Sequence, residues 1–148
     1  MVSEESYRRG RSVVSAMRVH LVFVTKHRYG MLTDELLTTC EKSMRAVCRD
    51  FEATLAEFNG ERDHVHLVVQ YPPKVAVSKL VNSLKGVSAR RLRDQYPSWV
   101  DQHSLNGQLW SPSYFAASCG DAPTSIVAEY IEQQRRSPRR PGRPRSMP

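Results

Sequence analysis

The chain lacks the marks of a secreted or membrane-spanning protein. Its three cysteines, Cys40, Cys48 and Cys119, contain no C-x-x-C pair. An odd number without that spacing excludes a disulfide framework and a zinc knuckle, and leaves each thiol as a small apolar residue. No apolar run approaches the length needed to cross a bilayer. The opening residues, Met1-Val2-Ser3-Glu4-Glu5, are acidic where a secretory signal is basic and then apolar. The expected location is therefore cytoplasmic, with no membrane partner. Acids are also scarce relative to bases, 15 Asp and Glu against 22 Lys and Arg, for a formal net charge of +7. That balance suits a polyanionic partner, most often nucleic acid, and equally suits a solvated basic surface.

What is present fits one domain, since 148 residues can bury a real core but do not divide comfortably into two. Residues 1–17 carry Arg8, Arg9 and Arg11 without periodicity and read as a mobile basic arm. Val19 to Thr25 is rich in β-branched and aromatic residues on both faces, which predicts a central strand ended by Lys26-His27-Arg28-Tyr29-Gly30. Asp34 and Glu35 open a helix whose apolar residues, from Leu36 to Phe51, recur at three- and four-residue intervals. A strand from Ala53 to Phe58 follows, with Asn59-Gly60 as a turn signal and a longer polar loop to Asp63.

The next stretch, Asp63-His64-Val65-His66-Leu67-Val68-Val69, is the one the chain is organised around. In a strand, side chains alternate, so His64 and His66 share one face while Asp63 falls on the other. Pro72-Pro73 stops the strand, and a helix follows with Val77, Leu80, Val81, Leu84, Val87 and Leu92 on one side. Lys79, Lys85, Arg90, Arg91 and Arg93 line its remainder, and Gly86 in its middle suggests close packing or a bend. A loop after Trp99 leads to a broken aromatic strand, Gln108 to Ser118, containing Pro112. Asp121 and Pro123 then open a last helix bearing Ile126, Val127, Tyr130, Ile131 and Gln134 on one face. The stretch beyond, residues 136–148 with Arg135 leading into it, reads as a disordered Arg/Pro-rich tail. The resulting order predicts an α+β fold, a ferredoxin-like β-α-β-β-α-β antiparallel sheet with helices on one face plus an appended C-terminal helix, over residues 18–135.

Tyr130 and Gln134 stand one turn apart on that last helix. Laid over the His64 strand, the Gln134 amide oxygen would complete a His64, His66 and Gln134 metal site, and the Tyr130 hydroxyl would approach the bound ligand. A metal there polarises a phosphodiester, and a phenolate attacking phosphorus in line leaves a covalent phosphotyrosine that retains the energy of the bond.

These residues resemble the single-tyrosine HUH transposases, the TnpA proteins of small bacterial insertion sequences. The resemblance rests on Asp63 to Val69 as the HUH strand, Leu84-Lys85-Gly86, Leu109-Trp110-Ser111-Pro112-Ser113-Tyr114-Phe115, and Tyr130-Ile131-Glu132-Gln133-Gln134, and spans Val19 to about Gln134. It implies that Tyr130 is the nucleophile and that His64, His66 and Gln134 hold Mg2+ or Mn2+. It further implies a substrate of single-stranded DNA with imperfect palindromes at the element ends, and a 5′-phosphotyrosine with a free 3′-OH. The implied assembly is a homodimer with active sites completed within one subunit or in trans, in the bacterial nucleoid. The basic arm and tail match none of the family's motifs, which leaves open a host-adopted relative acting on repeated palindromes. Lys26, Arg28, Lys85, Arg90, Trp110 and Tyr114 are the candidate nucleic-acid contacts.

Other readings compete with this one. Each residue alone fits a plainer role: a satisfied strand histidine, a core tyrosine, an aromatic strand residue. A histidine-triad hydrolase needs a third alternating histidine where Val68 stands. A relaxase or replication initiator shares the HUH chemistry in a longer chain. A non-catalytic ferredoxin-like nucleic-acid-binding module remains, although it has no use for the histidine pair or Tyr130. His20, His27 and His103 have no partner at a recognisable spacing.

Overall fold

The computed structural model describes residues 8–9, 14–15, 17–26, 30–104, 108–119 and 124–136. Within the basic arm, β1 (Arg8–Arg9) pairs antiparallel with β2 (Val14–Ser15), a short ladder that the polar sequence gave no reason to expect. The main sheet consists of β3 (Arg18–Val24), β4 (Thr54–Gly60), β5 (His64–Gln70) and β6 (Phe115–Ser118). Its order is β4-β5-β3-β6 with every neighbour antiparallel, so the strand with apolar residues on both faces does lie inside the sheet.

Strand parity divides the sheet into two faces. Leu21, Phe23, Val65, Leu67 and Val69 point one way and are fully or almost fully buried. They pack with α1 (Asp34–Asp50) and α2 (Val77–Gln95), whose Leu36, Cys40, Met44, Leu80, Leu84 and Leu92 complete the same cluster. The opposite face carries Val22, Val24, His20, His64 and His66. There α4 (Thr124–Arg136) lies across it through Val127, with Tyr130 and Ile131 packed alongside. The fold is thus the split β-α-β-β-α-β arrangement, with the appended helix on the sheet face away from α1 and α2.

Local sequence explains where α1 begins and ends. The Thr33 side chain accepts from the Leu36 N–H, and Asp34 and Glu35 occupy the first turn. At the far end the Ala53 N–H bonds to the Cys48 carbonyl at 2.8 Å and the Glu52 N–H to that of Arg49 at 3.0 Å, a Schellman closure. That closure holds Glu52 in the left-handed region at φ 60°, and Lys74 meets its carboxylate at 2.9 Å.

The structure corrects the sequence reading at four places. Asn59 and Gly60 belong to β4, and the turn lies beyond them at residues 61–63, closed by the Glu61 N–H on the His64 carbonyl at 2.9 Å. Gly60 is required by packing: a Cβ there would fall 2.5 Å from the Leu37 side chain. The first part of the loop expected after Trp99 belongs to a helix, α3 (Pro97–His103), with Pro97 in its first turn. Trp99 anchors α3 by donating to the Met31 carbonyl at 2.8 Å, and its ring stacks on His103. Gly86 is exposed in an unbroken α2 with nothing within 4 Å of the place a Cβ would take, so no close neighbour accounts for it. Arg135 is part of α4, which runs to Arg136, and not the start of a tail. Asp121, Pro123 and residues 137–148 lie outside the described residues.

Candidate functional site: two imidazoles beneath a tyrosine helix

The β3–β5 register sets Val24 opposite His64 and Val22 opposite His66, so both imidazoles emerge on the α4 side of the sheet. Their rings lie 6.0 Å apart, centre to centre. His64 is buried at 4 % exposure, and its Nδ1 sits 2.9 Å from the Asp63 carboxylate. His66 is half-buried, and its Nδ1 lies 3.1 Å from His20 Nε2, with the two rings stacked. Each ring therefore has Nδ1 engaged and Nε2 left to bind an ion. A tethered Nδ1 of this kind is what orients a metal-binding imidazole. Burial, then the neighbouring His20 and His64, pushes the His66 pKa down, which keeps the ring in the neutral form a metal requires.

Asp63 stands just before β5, and its carboxylate turns back to His64, which makes it an orienting group. Its other partner comes from α4: Arg135 Nε donates to Asp63 Oδ2 at 2.7 Å and Nη2 to Oδ1 at 3.2 Å. The His64 hydrogen bond, together with Arg135, holds this carboxyl well below the usual range. Arg135, Glu61, Arg62 and Asp63 also line a shallow cleft of about 480 Å³ beside the strand.

Tyr130 and Gln134 reach the site from above. Phe115, Val22 and His66 are successive register partners across β6, β3 and β5, and the Tyr130 ring packs on Phe115 with centroids 5.6 Å apart. The Tyr130 hydroxyl is 3.1 Å from Ser113 Oγ, and the Gln134 amide oxygen accepts from Ser111 and Ser113, each at 3.4 Å. Burial raises the Tyr130 pKa while the Ser113 hydrogen bond opposes it, and the phenol is protonated at neutral pH. Among the described residues, no three His, Cys, Asp or Glu side chains are grouped to hold a metal. The groups on this face that could hold a divalent ion are the two imidazoles and, from α4, the Gln134 carboxamide.

The candidate nucleic-acid residues fall into different surroundings. Arg90 and Tyr114 are exposed, and Lys26 is half-buried with its N–H on the Leu109 carbonyl. Arg28 lies outside the described residues. Trp110 is a core residue, 6 % exposed, with its indole N–H on Ser88 Oγ at 3.0 Å, so it offers no face to a base. Lys85 turns inward onto backbone carbonyls of residues 111–113 in place of the expected phosphate contact.

Sequence reasoning missed His20, Asp63, Arg135, Ser111 and Ser113. His20 carried one usable signal, its parity with Val22 and Val24 on a strand expected to be central. Asp63 falls on the face opposite the histidines by strand alternation, but it precedes β5 and its carboxylate turns back to His64; Arg135, Ser111 and Ser113 depend on where α4 and the segment before β6 come to rest.

An antiparallel sheet with a histidine pair on one face and a tyrosine helix laid over that face defines a single-tyrosine transposase fold. The chain belongs to the IS200-like transposase family: the family model described as "Transposase IS200 like" matches residues 13–134. Its activity is accordingly that of a transposase, the cleavage and transfer of DNA strands. It is 29% identical to the ISDra2 transposase TnpA of Deinococcus radiodurans over 127 residues, 86% of this chain and 90% of that protein. It is 26% identical to the transposase for insertion sequence element IS200 of Salmonella typhimurium over 117 residues, 79% of this chain and 76% of that one. A crystal structure of a candidate transposase from D. radiodurans R1 superposes with a TM-score of 0.78 at 30% identity, covering 86% of this chain and 97% of its own. A REP-associated tyrosine transposase bound to a REP hairpin shares the fold at a TM-score of 0.52 and 12% identity, over 84% of this chain and 68% of that one.

Proposed function

We propose that this transposase cleaves and rejoins single-stranded DNA at hairpin-bearing element ends through a 5′-phosphotyrosine on Tyr130. The observation that carries the reading is the meeting of the Tyr130 hydroxyl and the Gln134 amide oxygen at one serine, on a helix laid over the face that bears His64 and His66. Tyr130 Oη forms a bond to phosphorus, the bond from phosphorus to O3′ breaks, and the released 3′ oxygen leaves as a hydroxyl. Reversal by the same or another 3′-OH restores a phosphodiester without a nucleotide cofactor, because the tyrosyl ester keeps the energy of the bond broken. His64, His66 and Gln134 would hold Mg2+ or Mn2+, which when bound supplies Lewis-acid polarisation of the phosphoryl group.

The chain's own residues prepare the rest. Asp63 and His20 orient the imidazoles, Phe115 fixes the plane of the Tyr130 ring, and partial burial keeps the phenol neutral until substrate arrives. Lys26, Arg90 and Tyr114 are the proposed DNA contacts, Tyr114 by stacking on an unpaired base. A hairpin substrate is supported by the fold shared with a transposase seen on one, and a homodimer by the family. The higher identity to insertion-sequence transposases than to the REP-associated one favours a mobile element's own enzyme over a host-adopted one. Tyr130→Phe is expected to abolish covalent attachment to a 3′-labelled single strand while leaving hairpin binding within about two-fold. Adducts that persist in this variant assign the nucleophile elsewhere.

A further inference from the structure

We infer that Ser113 is a positioning residue for Tyr130, seated by the Lys85 ammonium, which holds the segment that carries it. The inference rests on the phosphotyrosine reading above and adds residues to which that reading gives no role. Ser113 stands outside any regular element, between Pro112 and the start of β6, and its side chain is exposed. Its hydroxyl nevertheless meets both groups that α4 contributes, Tyr130 at 3.1 Å and Gln134 at 3.4 Å.

The direction of these bonds follows from chemistry. An amide oxygen only accepts, so Ser113 gives its proton to Gln134 Oε1, and the Tyr130 hydroxyl then donates to Ser113 Oγ. The chain ends on an oxygen that takes up no proton at neutral pH, so it orients the phenol and does not carry its proton away. Phe115 restrains the ring and Ser113 restrains its tip, leaving Tyr130 a single direction of approach. Once the phenol ionises, the serine hydroxyl can turn and donate to the phenolate.

A segment of Ser-Pro-Ser has no stiffness of its own, and here α2 provides it. Lys85 Nζ donates to the carbonyls of Ser111 at 2.7 Å and of Pro112 and Ser113 at 3.4 Å each. Its ammonium also lies 5.9 Å and 5.7 Å from the ring centres of Phe23 and Tyr114. Trp110, bonded to Ser88 on α2, and the Ser111 N–H, bonded to the Val24 carbonyl at 2.7 Å, fix the near end of the segment. Four consecutive residues are thus tied to the core, with Ser113 the one whose side chain reaches the nucleophile.

The test uses the full chain, Mg2+ and a 3′-labelled single-stranded oligonucleotide bearing an imperfect palindrome from the DNA flanking its own gene. Ser113→Ala is expected to slow adduct formation at saturating DNA about ten-fold and to move the alkaline rise of the rate to higher pH. The oligonucleotide Kd and the Tm should stay at the parent values, and Ser113→Thr, which keeps the hydroxyl, should recover most of the rate. Parent-like rates and pH profile in Ser113→Ala overturn the inference, as does a Ser113→Thr variant as slow as Ser113→Ala. Tyr130→Phe run alongside separates the two readings: adducts in that variant sink the phosphotyrosine assignment, whereas their loss with an unaffected Ser113→Ala sinks only the role of Ser113.

Discussion

His20 Nε2 lies 3.1 Å from His66 Nδ1, and this contact couples the tautomers of the two rings. If His66 is to present an Nε2 lone pair, its proton must sit on Nδ1 and be donated to His20. Removing the acceptor frees the ring to turn and to change tautomer. In the Tyr130→Phe background, His20→Ala is expected to weaken Mn2+ binding about ten-fold or more, the usual cost of losing such a partner. His20→Gln, which keeps an acceptor within reach, should lose far less. Titration calorimetry checks both, and equal affinity in all three proteins would remove His20 from the site.

The Arg135–Asp63 pair ties the terminal helix to the metal-ligand strand. Arg135 is 41% exposed, so the pair is worth no more than about 1 kcal/mol in spite of its two-pronged geometry. Arg135→Gln should therefore speed amide exchange throughout α4 about five-fold and leave α1 and α2 at parent rates. Exchange that rises equally in all three helices would show that the pair supports the whole fold and not the docking of one element.

Gly86 offers a substitution that should strengthen the protein. It lies mid-helix with open space where a methyl group would go. Gly86→Ala is expected to raise unfolding stability by about 0.5–1 kcal/mol through the lower entropy of the unfolded chain. Urea unfolding measures it, and a fall in stability would reveal a neighbour closer than the structure shows.

Whatever depends on local period was legible in the sequence. Two-residue alternation in Asp63 to Val69 set the histidines apart from Val65, Leu67 and Val69, and the three- and four-residue spacing from Leu36 to Cys48 outlined α1 and its buried face. The order of elements then gave the topology. Less legible was anything decided by contact across the chain. Asn59-Gly60 has the composition of a turn, yet Gly60 is held in the strand by the approach of Leu37, 23 residues earlier. The helix that Pro97 opens leaves no periodic trace because it is only seven residues long, and it is anchored by Trp99 on Met31. Arg135 sits in an arginine-rich run, and only a carboxylate far back in the sequence distinguishes it from its neighbours. His20 finds His66 through strand pairing over 46 positions, a register no local pattern encodes.

The alternation along β5 has an evolutionary side. Odd positions carry the hydrocarbon that makes the sheet fold, and even positions carry the imidazoles, so the two are under separate selection. A lineage can lose its imidazoles by drift and still inherit the scaffold intact. Silent descendants with this same backbone are therefore to be expected, and a likeness in shape alone says little about whether a relative still cuts DNA.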